Sequence, residues 1–540
     1  MNFNYKNYNS FFILIPAIAA FFITLILTLN HQWPLGWDII YHIQYAKIYS
    51  QYGFSFQKNY PPLFHLLLAA LGTIFKIDYF QIARFLQPIL AFSVVLSVSY
   101  VTKKLYGNLA GISAGFLIVS SYMFFRLMMP LPENLALIFL IFSIYFYYIS
   151  ISKSNIKYAL LSGILLLLTL ATHREVPMFL ILGVIIFTFL ELIIYRNKSV
   201  LKNFGAFLSP TFAIVALGLL ALLIIKPHLL SQLIQQGTST YLVYLSSSTV
   251  AKPITIFKYI AFVGILVTLF SFIGSIVVIR TKQKLGIFLL LWAFAIFLIS
   301  ESFWFGFSVD TVRFLVYILI PLSILGGFGL DYVYDIEHPS KKLSTWRFKS
   351  LFLTGTSRVS QSLGLLVTKI YKRFSTPRFR STLLISVFIL SLFLGLLATE
   401  KPFTFYAESS FGNVQIAPPS DSEADLANWF QINGDKQKII IISNRYTGIF
   451  ISAETGMQIN PNFGYLNKNS PKSVFDNHNI GYIVIDKRLS LSSGNGTLQM
   501  KDGGSGLYYF SGDIHQNINQ ILPDYAHIVY ENNDFIVAKL

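Results

Sequence analysis

The hydrophobic positions of this chain fall into long, nearly unbroken runs joined by short polar stretches, from the N-terminus as far as residue 399. A run of about 20 apolar residues is what an α-helix needs to cross the hydrocarbon core of a bilayer. The pattern predicts spans at 11–29, 82–102, 107–125, 133–152, 157–172, 175–195, 205–225, 257–279, 285–300, 313–333 and 381–399, about 11 in all. One more run, PPLFHLLLAALGTIF (61–75), is shorter and opens on two prolines. That length suits an interfacial helix better than a span. A competing 12-span arrangement makes it cross, which moves residues 30–60 to the other side.

Just before it, DIIYHIQYAKIYSQYG (38–53) predicts a helix with Asp38 as its N-cap and Gly53 just past its end. Residues 30–81 thus form a first outer loop built of two interfacial helices. Beyond residue 400 the pattern changes. Ser420 and Glu423 make a capping box for a short helix, and 438–443, 481–486 and 506–511 read as strands. The last residues read as a β-hairpin turning at Asn532 and Asn533. The fold class predicted is a polytopic α-helical membrane protein with a C-terminal α/β domain. Residues 1–335 form the main transmembrane module, 336–380 a basic cytoplasmic segment, 381–399 the last span and 400–540 the extracytoplasmic domain.

Charge supports this layout. Only 12% of the 540 residues are charged, yet the formal net charge is +17. With the N-terminus in the cytoplasm, twenty Lys and Arg, among them Lys103, Lys153, Arg196 and Lys284 and ten more between 341 and 380, face two acids, Asp335 and Glu337. The excess of bases reports topology by the positive-inside rule and implies no nucleic-acid partner. It places the protein in the cell membrane with its C-terminal domain outside. The first run lacks a small-residue cleavage site and reads as a retained helix. Cysteine is absent, which removes disulfides, thiolate nucleophiles and Cys-based metal sites. Asn495-Gly-Thr497 is a sequon on the outer side.

Ionisable residues are nearly missing from the helix middles, whereas ion-coupled transporters need them there. The charges of interest gather at outer helix ends: Asp38; Arg126 and Glu133 in FFRLMMPLPEN; His173, Arg174 and Glu175 in ATHREVP; Glu301, Asp310 and Arg313 in ESFWFGFSVDTVRF. Three outer arginines oppose the topological bias, and an arginine fork matches phosphate oxygens. Structural roles stand beside each of these. Asp38 suits an N-cap, Glu133 suits a first helical turn, the arginines suit snorkelling to headgroups, and His42, His65 and His173 suit packing at the interface. Segment 226–256 is long enough for a lid. No P-loop, HExxH or DxD pattern occurs, so neither nucleotide hydrolysis nor a zinc protease is signalled, and a divalent metal, though compatible, is not.

GWDIIYH, YPPLFHLLLAALG, RLMMPLPENLALIFLIFSIYFYY and VRFLVYILIPLSILGGFGLDYV together resemble the GT-C superfamily of membrane glycosyltransferases, over about residues 10–335. The likeness is to the protein O-mannosyltransferases and lipid A aminoarabinose transferases. It implies a donor sugar on a polyprenyl phosphate, a glycan, lipid or protein acceptor, surrounding membrane lipids and no required cofactor. It also implies that Asp38 is the catalytic base; Glu133, by its place at an outer helix end, is a second acidic candidate. Substrate contacts fall to Arg313 first, then Arg126 and Arg174, with His42 and His173. Many relatives carry a second acid beside the first, but Trp37 and Ile39 flank Asp38 here, and the WWDYG motif of oligosaccharyltransferases is missing. The alternative is a non-catalytic scaffold or glycan-binding subunit of an envelope assembly.

Overall fold

A computed structural model describes residues 10–53, 60–225, 255–302, 311–334, 377–400, 419–460, 462–466, 468–491, 499–502, 506–511 and 514–540. The sequon, Asp310, most of segment 226–256 and nearly all of the basic segment 336–380 lie outside them.

The membrane module begins with α1 (Leu14–Asn30). Within its apolar face, Thr24 and Thr28 return their hydroxyls to the carbonyls of Ala20 and Thr24 at 2.8 and 2.9 Å, which satisfies two polar groups inside a buried surface. Two helices then lie between α1 and α4: α2 (Asp38–Tyr52) and α3 (Leu63–Phe75). Gly53, with φ of 72°, stops α2 as the sequence predicts. The N-cap is different. It is Trp37, with no side-chain bond, and Asp38 is the first helical residue. The correction follows from the turn before it: Gly36 takes φ of 88°, which brings Trp37 already helical into the first turn.

Next come α4 (Tyr79–Tyr106), α5 (Asn108–Val119), the short α6 (Phe124–Met128), α7 (Pro132–Ser152), α8 (Ile156–Thr172), α9 (Val176–Phe189) and α10 (Val200–Ile225). The expected span 107–125 therefore ends early, at Val119. The expected span 257–279 is two helices, α11 (Ile256–Val263) and α12 (Ile265–Thr281), bent by 102° at Gly264. Gly264 has φ of 100°, and the Phe262 carbonyl beside it accepts from Met123 N and Ser121 Oγ, both at 3.2 Å. A freed carbonyl thus finds new partners, as it must away from water. α13 (Lys284–Ser300), α14 (Thr311–Tyr334) and α15 (Pro377–Glu400) complete the module. Among the described residues seven helices are long and apolar enough to cross a membrane, eight if the bent pair counts as one. The expected spans α5, α8 and α13 are shorter apolar helices, and α3 has the length expected of a surface helix. The protein is a multi-pass membrane protein. Small residues let its helices meet: a Cβ on Gly329 of α14 would stand 2.2 Å from the Phe270 carbonyl of α12.

The C-terminal part opens with α16 (Asp421–Asn433), closed at its start by the expected Ser420–Glu423 capping box. Its main sheet has parallel β1 (Ile439–Ile442), β2 (Ile459–Asn460) and β3 (Ile480–Asp486), extended by the antiparallel hairpin of β7 (His527–Glu531) and β8 (Phe535–Lys539). The strand order is β2-β1-β3-β8-β7. A second sheet joins β4 (Ser490–Leu491), β5 (Gln499–Asp502) and β6 (Tyr508–Ser511).

One helix of this part, α17 (Arg445–Thr455), docks on α2. Gln44 donates to Ser452 Oγ at 2.8 Å, Lys47 donates to the Ala453 carbonyl at 2.7 Å, and Arg445 Nε donates to Tyr41 Oη at 3.1 Å. Below these, Phe450 meets the Trp33 ring at 5.0 Å and Tyr446 meets Trp37 at 5.8 Å. The first loop and the C-terminal domain therefore share one side of the helix bundle. This contact disfavours the 12-span arrangement, which would put a membrane between them.

Candidate active site

The start of α2 is held by α4. Arg84 Nε donates to the Thr28 carbonyl at 2.8 Å, Gln87 Nε2 donates to Thr28 Oγ1 at 3.0 Å, and the Leu35 backbone N–H donates to Gln87 Oε1. Trp37, fully buried, locks the turn from the other side. Asp38 follows directly, half-buried. Its side chain forms no hydrogen bond or ion pair with any described residue, so no cap occupies its carboxylate. The charges of Asp38, Glu133 and Glu175 all act on Arg313 at the head of α14.

One turn along α2, His42 is buried and pairs through Nδ1 with His65 Nε2 of α3 at 2.8 Å. Tyr60 packs edge-on against both rings at 4.9 and 5.5 Å and against His173 at 6.2 Å. Arg174 lies over the same tyrosine ring at 4.8 Å, with no carboxylate in bridging distance among the described residues. Burial is the leading cause that pushes His42 well below the ordinary histidine range, and the neighbouring His65, His173, Arg313 and Arg174 push the same way. His173 is likewise held down, to about 3, first by burial, against the opposing charge of Glu133.

His173 owes its place to local chain chemistry. Its Nδ1 accepts from the backbone N–H of Glu175 at 3.1 Å and of Val176 at 3.3 Å, satisfying donors at the start of α9. The turn before α7 is tied differently. The Asn134 side-chain amide donates to the carbonyls of Arg126, Leu127 and Met129 at 3.0, 3.2 and 2.7 Å, and Pro132 opens the helix. This brings Arg126 Nε and a terminal guanidinium nitrogen to Glu133 Oε2, both at 2.7 Å, with Glu133 only 1% exposed. Arg313 pairs more loosely with Glu175 at 3.5 Å.

All seven candidates from the sequence thus meet in one electrostatic neighbourhood: Asp38, His42, Arg126, Glu133, His173, Arg174 and Arg313. Glu301, by contrast, accepts the Tyr259 hydroxyl. Sequence reasoning passed over Tyr60 among the chain's 31 tyrosines and treated His65 as packing; the one signal available was the position of both beside the PPL turn. Among the described residues no three His, Asp or Glu side chains gather in a way that could hold a metal ion.

No family model and no curated protein matches this chain in sequence. Its three-dimensional form does have solved counterparts. ArnT from Cupriavidus metallidurans in the apo state is similar over 97% of both chains, with a TM-score of 0.57 and 10% identity. The chain has the GT-C fold. A second ArnT structure, bound to undecaprenyl phosphate, is similar with a TM-score of 0.55 at 11% identity over 98% of both chains. The oligosaccharyltransferase of Archaeoglobus fulgidus, solved with Zn and sulfate, matches 94% of this chain and 73% of its own, with a TM-score of 0.58 and 12% identity. At such identities the shared property is the GT-C fold, and the roles of individual residues rest on their own geometry.

Proposed function

We propose that this protein is a membrane glycosyltransferase that moves a sugar from a polyprenyl-phosphate donor to a hydroxyl acceptor on a glycan, lipid or protein. The observation that carries the reading is an uncapped aspartate at the head of α2, within electrostatic range of Arg313, in a fold whose counterparts include structures holding dolichol-phosphate and undecaprenyl phosphate. Asp38 takes the proton of the acceptor hydroxyl as its oxygen attacks the anomeric carbon. A positioned base of this kind contributes about 10²–10⁴ in rate. The bond from that carbon to the lipid phosphate breaks, and the phosphate leaves with the electron pair. Arg313 and Arg174 stabilise its growing charge. A single displacement of this sort inverts the anomeric centre.

Glu133 takes a different role in this scheme: it is committed to Arg126, so the pair braces the floor of the site and leaves proton transfer to Asp38. The scheme routes no step through a metal; among the described residues the acids and histidines do not assemble into a ligand set. The positive-inside balance supports placing the site and the C-terminal domain outside the cell. The test is transfer from a labelled polyprenyl-phosphate sugar by protein in nanodiscs, with Asp38→Asn beside the wild type. Loss of turnover with donor binding retained supports the scheme. Undiminished turnover by the variant, or a wild type that binds no polyprenyl phosphate, overturns it.

A further inference from the structure

The His42–His65 contact constrains where protons sit. The two ring planes lie 28° apart with centroids at 5.0 Å, and one N–H must lie between His42 Nδ1 and His65 Nε2, which are 2.8 Å apart. The tautomers follow from the rest of the network. His65 has no exposed surface, and its other nitrogen, Nδ1, has no hydrogen-bond partner among the described residues. If His65 carried its proton there, a buried N–H would go unmade. Orphaned buried N–H groups are rarer than under-used acceptors. The favoured arrangement therefore places the His65 proton on Nε2, donating to His42 Nδ1. A neutral His42 must then carry its own proton on Nε2. That atom is not sealed: His42 keeps 7% of its surface accessible, and its Nε2 is not among the buried atoms lacking a partner.

We infer that His65 is a positioning residue that fixes His42 as a neutral Nε2–H donor, and that this donor binds a phosphate oxygen of the lipid-linked substrate. The ligand chemistry comes from the neighbours. The guanidinium charges of Arg174 and Arg313 act on the same imidazole, so the acceptor that this positive surrounding favours at His42 Nε2 is an anionic oxygen. Tyr60, packed across both histidine rings with Arg174 on it, holds the pair in register. Burial keeps His42 uncharged, so it recognises the phosphate by a directed hydrogen bond rather than as a cation. The ligand named here rests on the proposed function; the tautomer does not.

The test separates the two. In protein labelled with ¹⁵N-histidine, the resonances that vanish in His42→Gln identify residue 42 among the nine histidines. The expected spectrum shows His42 protonated on Nε2 and bare at Nδ1; protonation on Nδ1 overturns the inference whatever the protein binds. Binding is then measured with undecaprenyl phosphate. In His65→Gln the amide nitrogen takes the place of Nε2 and still donates, so affinity stays within about threefold of wild type. In His65→Phe the ring packs but cannot donate, and affinity falls by about tenfold or more. Equal affinity in His65→Phe overturns the positioning role. A wild type without affinity for undecaprenyl phosphate removes the ligand and the proposed function, while the nitrogen resonances still decide the tautomer.

Discussion

Asp38 and Glu133 show how two carboxylates of one neighbourhood come to differ. Glu133 is 1% exposed, hydrogen-bonded to Arg126 Nε and ion-paired with the same guanidinium, whereas Asp38 is half-buried and bonded to nothing described. Substituting each tests different physics. Asp38→Asn keeps the size of the side chain and disturbs no partner, so thermal stability is expected to hold while transfer falls by about 10²–10⁴. Glu133→Gln strands the Arg126 charge in a buried setting, which costs about 3 kcal/mol. A lowered unfolding midpoint, with transfer reduced only as far as folding is lost, is the expected result there. A Glu133→Gln protein that stays fully stable but is inactive would make Glu133 the base instead. These residues were legible in the sequence because charge is so scarce: an Asp, a Glu or an Arg at a helix end stands out in a chain with 12% charged residues. Tyr60 and His65 were not legible, since in a chain rich in interfacial aromatics nothing marks which ones touch a partner.

Elements were read well where the run of apolar residues and its caps agree, as in α2 ending at Gly53 or α16 opening on Ser420 and Glu423. They were misread where a single residue redirects the chain inside an apolar run, as Gly264 does between α11 and α12. Hydropathy cannot see such a bend, because the broken carbonyl is satisfied by residues more than a hundred positions away. The start of α9 is a case where element and chemistry share one atom. His173 Nδ1 accepts two backbone N–H groups, so the turn requires that nitrogen bare. Its pKa is depressed to about 3 in the folded protein. A depressed folded value means that its contribution to stability is full above the unfolded value near 6.5. It is lost progressively as pH falls from there toward 3, where the unfolded chain binds the proton and the folded one does not. His173→Asn supplies an amide oxygen where Nδ1 stood. The variant is expected to keep the turn yet lose part of the acid-side decline in unfolding midpoint between about pH 6.5 and pH 4. An unchanged decline would assign it to other groups.

At the scale of the whole molecule, the division into an apolar helical part and a mixed α/β part was plain from patterning, but the contact between them was not. The docking of α17 on α2 joins residues some four hundred positions apart. Nothing in either segment announces the other: Lys47 and Arg445 look like solvated charges, and Phe450 like any core residue of an α/β domain. The half-buried Lys47–Glu454 pair, at the long distance of 3.6 Å, adds little by itself. The Trp33, Trp37, Tyr446 and Phe450 rings beneath it carry the packing. Because this contact forces the first loop and the C-terminal domain onto one side, it turns a question of span counting into one of accessibility. The chain has no cysteine, so single replacements report position without background. Tyr52→Cys at the end of α2 and Ile432→Cys on α16 stand at positions 78% and 81% exposed. Both are expected to react with a membrane-impermeant maleimide added to intact cells. Lys282→Cys, in the turn after α12 among the bases that the positive-inside rule keeps in the cytoplasm, is expected to react only after permeabilisation. Labelling of positions 52 and 432 from opposite sides would break the docked arrangement. Labelling of both from within the cell would leave the docking intact and move the site, with its lipid-phosphate substrate, to the cytoplasmic face.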